Sequence, residues 1–106
     1  MLKEFNDSMF EDFKSGDVSV IQFSAAWCGP CKQLKPVMDK ISQSEEYKDR
    51  AKYFYADIED AAINTASAAG IRGVPTVIIY KGKTEVDRKI GGVSESHMKN
   101  FLDLNI

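Results

Sequence analysis

Apolar residues fall into runs and helical spacings that predict alternating strands and helices. The clearest strand is residues 18–24, where a nearly continuous apolar run is typical of a central strand covered on both faces. Further strands are predicted at residues 2–5, 51–58, 76–80 and 84–90. The short turn around Gly82 makes the last two an antiparallel hairpin.

Helical spacing and capping residues predict four helices. They are expected at residues 7–15, 31–46 and 61–69 and after Ser94. Pro36 falls inside the second helix, where it either kinks that helix or marks the start of a new one. Strands and helices that alternate and end in a hairpin and a helix predict one domain, residues 1–106, with a mixed sheet and helices on both faces.

Composition and charge exclude several classes of function. With 106 residues, 43% hydrophobic and 28% charged, the chain has the make-up of one globular domain. A net charge of -2 gives no basic field for nucleic acid or for an anionic membrane. No apolar stretch approaches the roughly 20 residues that span a bilayer, and the N-terminus lacks the pattern of a secretory signal. We therefore expect a cytoplasmic, reducing location and partners recognised by a local surface.

The only two cysteines, Cys28 and Cys31, stand directly after the predicted central strand. Two thiols at this spacing can close a small ring as a disulfide and open it again by exchange, which makes a two-electron switch. Cys28 falls near the start of the predicted helix, where backbone N–H groups and the helix dipole favour a thiolate. Pro30 suits the first helical turn, and Lys32 adds a nearby positive charge.

Other uses of this cysteine pair are less favoured. A closed zinc site needs four ligands, and the only other soft ligand, His97, is far along the chain. A cluster shared between two chains would take two cysteines from each, and a structural disulfide across so short a loop constrains the unfolded chain little. Redox chemistry is therefore favoured, with no metal or cofactor, and His97 is expected to be solvated without a catalytic role.

Three stretches, in this order and spacing, resemble the thioredoxin family along the whole chain: Trp27-Cys28-Gly29-Pro30-Cys31-Lys32, then Gly73-Val74-Pro75-Thr76, then Gly91. The resemblance implies an α/β thioredoxin fold, a central mixed five-stranded sheet flanked by four helices. It also implies a general protein-disulfide reductase in which Cys28 attacks a substrate disulfide and Cys31 resolves the mixed disulfide. The implied partners are disulfide-containing proteins and an NADPH-dependent thioredoxin reductase, and we expect a monomer. A docking module with incidental redox turnover is the second function that the sequence leaves open.

The resemblance further implies a docking surface around the cysteines. Pro75 matches the family's cis-proline, which would present the backbone of Val74 to an extended substrate segment. The expected surface is a small, flat apolar patch formed by Trp27, Gly29, Pro30, Val74, Pro75 and Gly91. As a residue type alone, Trp27 is also open to interpretation as an ordinary core aromatic.

One departure from the family pattern lies close to the cysteines. Thioredoxins usually carry a buried aspartate at the position matching Gln22 and a lysine near the position matching Tyr55, and both are missing here. An amide cannot take a proton as a carboxylate does. We therefore expect Cys31 to be deprotonated through water or by the departing thiolate, which slows the second step near neutral pH.

Overall fold

A computed structural model describes residues 1–106 as nine elements. The strands are β1 (Lys3–Glu4), β2 (Val18–Ser24), β3 (Lys52–Asp57), β4 (Thr76–Lys81) and β5 (Thr84–Ile90). The helices are α1 (Asp7–Phe10), α2 (Gly29–Gln43), α3 (Ile63–Ala69) and α4 (Glu95–Asn105). None of these helices combines the length and the apolar character needed to cross a membrane.

The five strands form one mixed sheet in the order β1-β3-β2-β4-β5. The three strands β1, β3 and β2 run parallel, whereas β4 pairs antiparallel with both β2 and β5. β2 lies in the centre and is buried from Ser19 to Ser24, as its apolar run predicts. The outer strands β1 and β5 are largely exposed and rich in charged residues. The carboxyl end of the central strand therefore delivers the chain directly to the cysteine pair.

The sheet separates two hydrophobic cores because side chains on a strand alternate between its faces. On one face Val20 belongs to a core that includes Leu34 of α2 and Phe101 of α4. On the other face Ile21 belongs to a core that includes Ala66 of α3. Helices on both faces of a mixed sheet confirm the fold class expected from the sequence.

The first helix is shorter than predicted. It ends at Phe10, after which the chain makes turns up to β2, whereas the sequence predicts a helix to about residue 15. Phe13 packs against Phe5 and Phe54, with ring centroids 6.1 and 5.8 Å away. Phe10 instead stacks edge-on against Tyr80 at 5.3 Å. This packing of aromatic rings overrides the local helical preference of residues 11–15.

The second helix is continuous from Gly29 to Gln43, so the interpretation of Pro36 as a new helix start is wrong. The helix begins two residues earlier than predicted because Cys28 caps it. It also ends before residue 46, because the Ser44 N–H and hydroxyl both donate to the Ile41 carbonyl. Gly70 ends α3 in the left-handed conformation, with φ of 68°, as expected of a glycine at that position.

Candidate active site

Cys28 lies at the junction between the central strand and helix α2. It is the N-cap residue of α2, and its sulfur accepts a hydrogen bond from the Cys31 N–H at 3.1 Å. Pro30 occupies the first turn, where a missing N–H leaves no hydrogen bond unmade. The site expected from the cysteine spacing is therefore a helix N-terminus at which one backbone amide donates to sulfur.

The two cysteines are joined as a disulfide, with 5.3 Å between their Cα atoms. Cys28 is 3% exposed and Cys31 is wholly buried, so Cys28 is the sulfur nearer to solvent by a small margin. Both pack with Ala25, and the side chains of Ile58 and Val74 cover this small cluster. The disulfide is thus largely enclosed by the side chains around it.

The loop before β4 also lies beside the disulfide, since Val74 packs against the cysteines. The Val74–Pro75 peptide bond is cis, as the match to the family pattern implies. The Gly91 N–H donates to the Pro75 carbonyl at 2.8 Å, and Gly91 has a φ of 92° that favours glycine. The Thr76 hydroxyl donates to the Gly73 carbonyl at 2.7 Å. These bonds fix the loop beside the disulfide.

The model of the family named Thioredoxin matches residues 2–104 of this chain. The chain belongs to the thioredoxin family. It is a thiol–disulfide oxidoreductase, and Cys28 and Cys31 form its redox-active pair.

Relatives and a solved structure agree with this family assignment. The thioredoxin of Allochromatium vinosum is 38% identical over 101 residues, which cover 93% of this chain and 92% of the relative. The thioredoxin of Synechocystis is 36% identical over 102 residues, covering 94% and 92%. The crystal structure of the Malassezia sympodialis thioredoxin Mala s 13 superposes with a TM-score of 0.86 at 29% identity, covering 98% of this chain and 90% of that one. The thioredoxin fold expected from the sequence motifs is confirmed.

The six residues of the docking surface expected in this thioredoxin-family site differ in exposure. Trp27, Gly29 and Pro30 are exposed, Val74 and Gly91 are half-buried, and Pro75 is buried. Pro75 therefore offers little side-chain surface, contrary to the expectation of a flat patch that includes it. Its carbonyl oxygen already accepts the hydrogen bond from the Gly91 N–H.

Trp27 directly precedes Cys28 and lies at the surface of the site. Its side chain is 68% exposed, so the interpretation as a core aromatic is wrong. The indole N–H donates to Glu59 Oε1 at 2.9 Å, which orients the ring from the loop after β3. Lys32 is exposed in the first turn of α2 and makes no ion pair.

Gln22 lies fully buried beneath the first turn of α2. Its Nε2 donates to Ser24 Oγ at 3.0 Å and to the Cys31 carbonyl at 3.1 Å, while its Oε1 has no partner. Tyr55 pairs with Gln22 across the parallel strands and is half-buried, with the Lys35 amino group 5.4 Å from its ring centroid. The two positions that depart from the family pattern are thus neighbours, and Gln22 contacts the second cysteine directly.

Two residues near the site were missed by reasoning from the sequence. Ile90 is 67% exposed at the end of β5, opposite Thr76 and next to Gly91. The feature of the sequence that could have identified Ile90 is its apolar side chain at the end of a strand whose other positions are largely charged. Glu59 has no such feature, because nothing in the acidic residues before the third helix indicates a contact with Trp27.

His97 lies outside this site. Its N–H donates to Ser94 Oγ at 3.3 Å, and its Nδ1 lies 2.9 Å from the same oxygen, so it belongs to the cap of α4. No three His, Cys, Asp or Glu side chains converge where they could hold a metal ion.

Proposed function

We propose that this chain is a general protein-disulfide reductase recharged by an NADPH-dependent thioredoxin reductase. The observation that carries the proposal is the position of Cys28, the more accessible cysteine, at the N-cap of α2 with its sulfur facing the Cys31 amide. This position favours negative charge on Cys28 when the disulfide is open, because the amide and the helix dipole both stabilise a thiolate.

In the proposed reaction the Cys28 thiolate attacks one sulfur of a substrate disulfide. A Cys28–substrate bond forms, the substrate disulfide breaks, and the departing substrate sulfur takes up a proton. Cys31 then loses its proton and attacks Cys28, which forms the internal disulfide and releases the reduced substrate. The reductase passes two electrons from NADPH to the Cys28–Cys31 bond and restores both thiols.

The surface around the disulfide is suited to docking an extended segment of a substrate protein. Trp27 and Ile90 are exposed, and Gly29 and Gly91 carry no side chain beyond Cα. A partner's backbone can therefore approach the sulfur closely enough for in-line attack. We further propose a monomeric, cytoplasmic protein, because NADPH is an intracellular reductant; sedimentation of the purified protein tests the monomer.

Coupled reduction of a protein disulfide tests the function. With NADPH, a bacterial thioredoxin reductase and insulin as the disulfide substrate, we expect steady NADPH consumption that depends on this chain. Cys28→Ser should abolish it, and Cys31→Ser should accumulate a mixed disulfide that mass spectrometry detects. Consumption equal to that of the blank would contradict the proposal and favour a docking module.

The reduction potential tests the direction of the reaction. Equilibration with a thiol buffer should give a value near -270 mV, roughly the thioredoxin range. A value of about -180 mV or higher would instead indicate an oxidant or an isomerase.

A further inference from the structure

Gln22 is the only side-chain amide that is fully buried in this protein. Both of its N–H groups are used, one on Ser24 Oγ and one on the Cys31 carbonyl. A carbonyl oxygen only accepts hydrogen bonds, so the contact with Cys31 fixes which end of the amide faces the helix. The other end, Oε1, is buried without a hydrogen-bond partner.

A buried acceptor without a donor is unfavourable, and such groups are uncommon in native proteins. In the disulfide state neither sulfur carries a proton, so neither can donate. Reduction changes this, because it places a new S–H group on Cys31, which is wholly buried and whose carbonyl already binds the Gln22 amide. The number of hydrogen-bond donors on Cys31, a residue that Gln22 contacts, therefore depends on the redox state of the cysteines.

We propose that Gln22 is a positioning residue that couples the first turn of α2 to the redox state of Cys31. Its Nε2 holds the Cys31 carbonyl, and its Oε1 accepts the hydrogen bond of the Cys31 thiol that reduction creates. The acceptor is paired in the dithiol and unpaired in the disulfide, so Gln22 stabilises the dithiol relative to the disulfide. This goes beyond the proposed function, since it concerns the balance of the two states and not the substrate or the reductase.

Ser19 supplies a matched control on the same strand. Its side chain is 1% exposed, and its hydroxyl is also buried without a partner. Ser19 and Gln22 are three residues apart on β2, so they point to opposite faces of the sheet, and α2 lies on the Gln22 face. Removing the Ser19 hydroxyl deletes an unpaired buried group without touching the cysteines.

Equilibration with glutathione tests the proposal. Two glutathione thiols break the Cys28–Cys31 bond, their protons pass to the two cysteine sulfurs, and one glutathione disulfide forms.

Gln22→Met keeps the length of the side chain and removes the amide. We expect it to shift the equilibrium about tenfold toward the Cys28–Cys31 disulfide, which is about 30 mV more negative for a two-electron couple. Ser19→Ala should leave the equilibrium constant within about twofold of the original. That change is much smaller than the one expected from losing the Gln22 hydrogen bond. Equal constants for Gln22→Met and the original protein would overturn the proposal.

A second measurement needs no substitution. Carbon-13 labelling of glutamine side chains reports the carbonyl carbons of Gln22, Gln33 and Gln43, of which only the first is buried. On reduction the Gln22 carbonyl resonance should move in the direction of a newly accepted hydrogen bond, while that of Gln43 at the far end of α2 stays in place. A Gln22 resonance unmoved by reduction would overturn the proposal even if coupled reductase activity is intact.

Discussion

Gln22 places an amide where a carboxylate could serve as a base for Cys31. The side chain is wholly buried and contacts the Cys31 carbonyl, so a titratable group at this position lies next to Cys31. We expect Gln22→Asp to speed resolution of the mixed disulfide near neutral pH by roughly tenfold or more, because a positioned base takes the Cys31 proton. Single-turnover release of substrate from a preformed mixed disulfide measures this step.

Gln22→Asn is the matched control for that prediction. It has the length of aspartate but cannot titrate, so the effects of shortening are shared by both variants. Equal resolution rates for the Asp and Asn variants would contradict a role for the carboxylate.

Ile90→Lys tests the docking surface without changing a buried residue. It is 67% exposed beside Gly91, so Ile90→Lys adds charge to the surface with little effect on folding. We expect kcat/KM for protein disulfides to fall about tenfold, because an apolar contact with the partner is lost, while reduction of a small disulfide is unchanged. Val86→Lys, 40% exposed earlier in β5, is the control. An equal fall for both variants would mean that Ile90 has no specific contact.

At the scale of residues, the functional positions could be predicted wherever a sequence motif identified them. The positions of Cys28, Cys31 and the cis bond before Pro75 follow from spacing and family pattern. The contacts of Glu59 with Trp27 and of Gln22 with Cys31 could not be predicted, because each joins segments whose relative placement only the folded sheet sets.

The start of helix α3 depends on a residue from another element. Its own N-cap, Ala62, has no side chain to accept a hydrogen bond. Asp7 of α1 takes that place, since Oδ1 accepts from the Thr65 N–H at 2.8 Å and Oδ2 accepts from the Asn64 N–H at 3.1 Å. We expect Asp7→Ala to lower the free energy of unfolding at pH 7 by about 1 kcal/mol, the usual effect of losing an N-cap. Urea unfolding measures it.

The same contact sets a pH dependence. Burial raises the pKa of Asp7, but the hydrogen bonds from Thr65 and Asn64 outweigh it and lower the pKa below 3.8. The stabilisation is therefore complete above the unfolded value and is lost as the pH falls through the lower native pKa. The difference between Asp7→Ala and the original protein should shrink at acid pH. Asp12→Ala, at an exposed residue without side-chain hydrogen bonds, should have no such effect, and equal losses for both variants would contradict the cap.

At the scale of elements, the strands were predicted closely and the first helix was not. Strand periodicity reflects burial on both faces, which the sequence of β2 carries in full. The end of α1 depends on the packing of Phe13 against Phe5 and Phe54, and these partners come from different segments, Phe5 directly after β1 and Phe54 within β3. Helix length therefore depends on tertiary packing that local propensity does not encode.

Three buried tyrosines make the whole molecule sensitive to alkali. Burial raises the pKa of Tyr47, Tyr53 and Tyr80 to about 12, and for Tyr47 a hydrogen bond to Asp103 adds to the effect. Raised native pKa values mean that stability is complete below the unfolded value of 10.0 and is lost as the pH rises toward 12. We expect the urea midpoint to be nearly constant up to pH 10 and to fall steeply above it, together with the appearance of tyrosinate absorbance.

Tyr80→Phe separates this titration from other alkaline effects. The Tyr80 ring packs against Phe10 at 5.3 Å, and phenylalanine preserves that contact. Relative to its own value at pH 7, this variant should lose less stability above pH 10 than the original protein. Parallel curves for the two proteins would contradict a contribution from Tyr80.

The architecture of the whole molecule was largely predictable, because the order of strands and helices and the hairpin turn limit the topologies of a mixed sheet to a few. The enclosure of the disulfide was not. It depends on Ile58 and Val74, which come from two different loops and pack against the cluster of Ala25, Cys28 and Cys31 only when the sheet is assembled.

The charged outer strands make the two edges of the sheet resistant to aggregation. An open sheet exposes two edges, and an edge with unpaired N–H and C=O groups recruits further strands and seeds aggregation. Here one edge is only two residues long, Lys3–Glu4, and the other carries charges at Glu85, Asp87, Arg88 and Lys89. The short β1 edge and the charged β5 edge thus protect this sheet from pairing with the strands of other polypeptides.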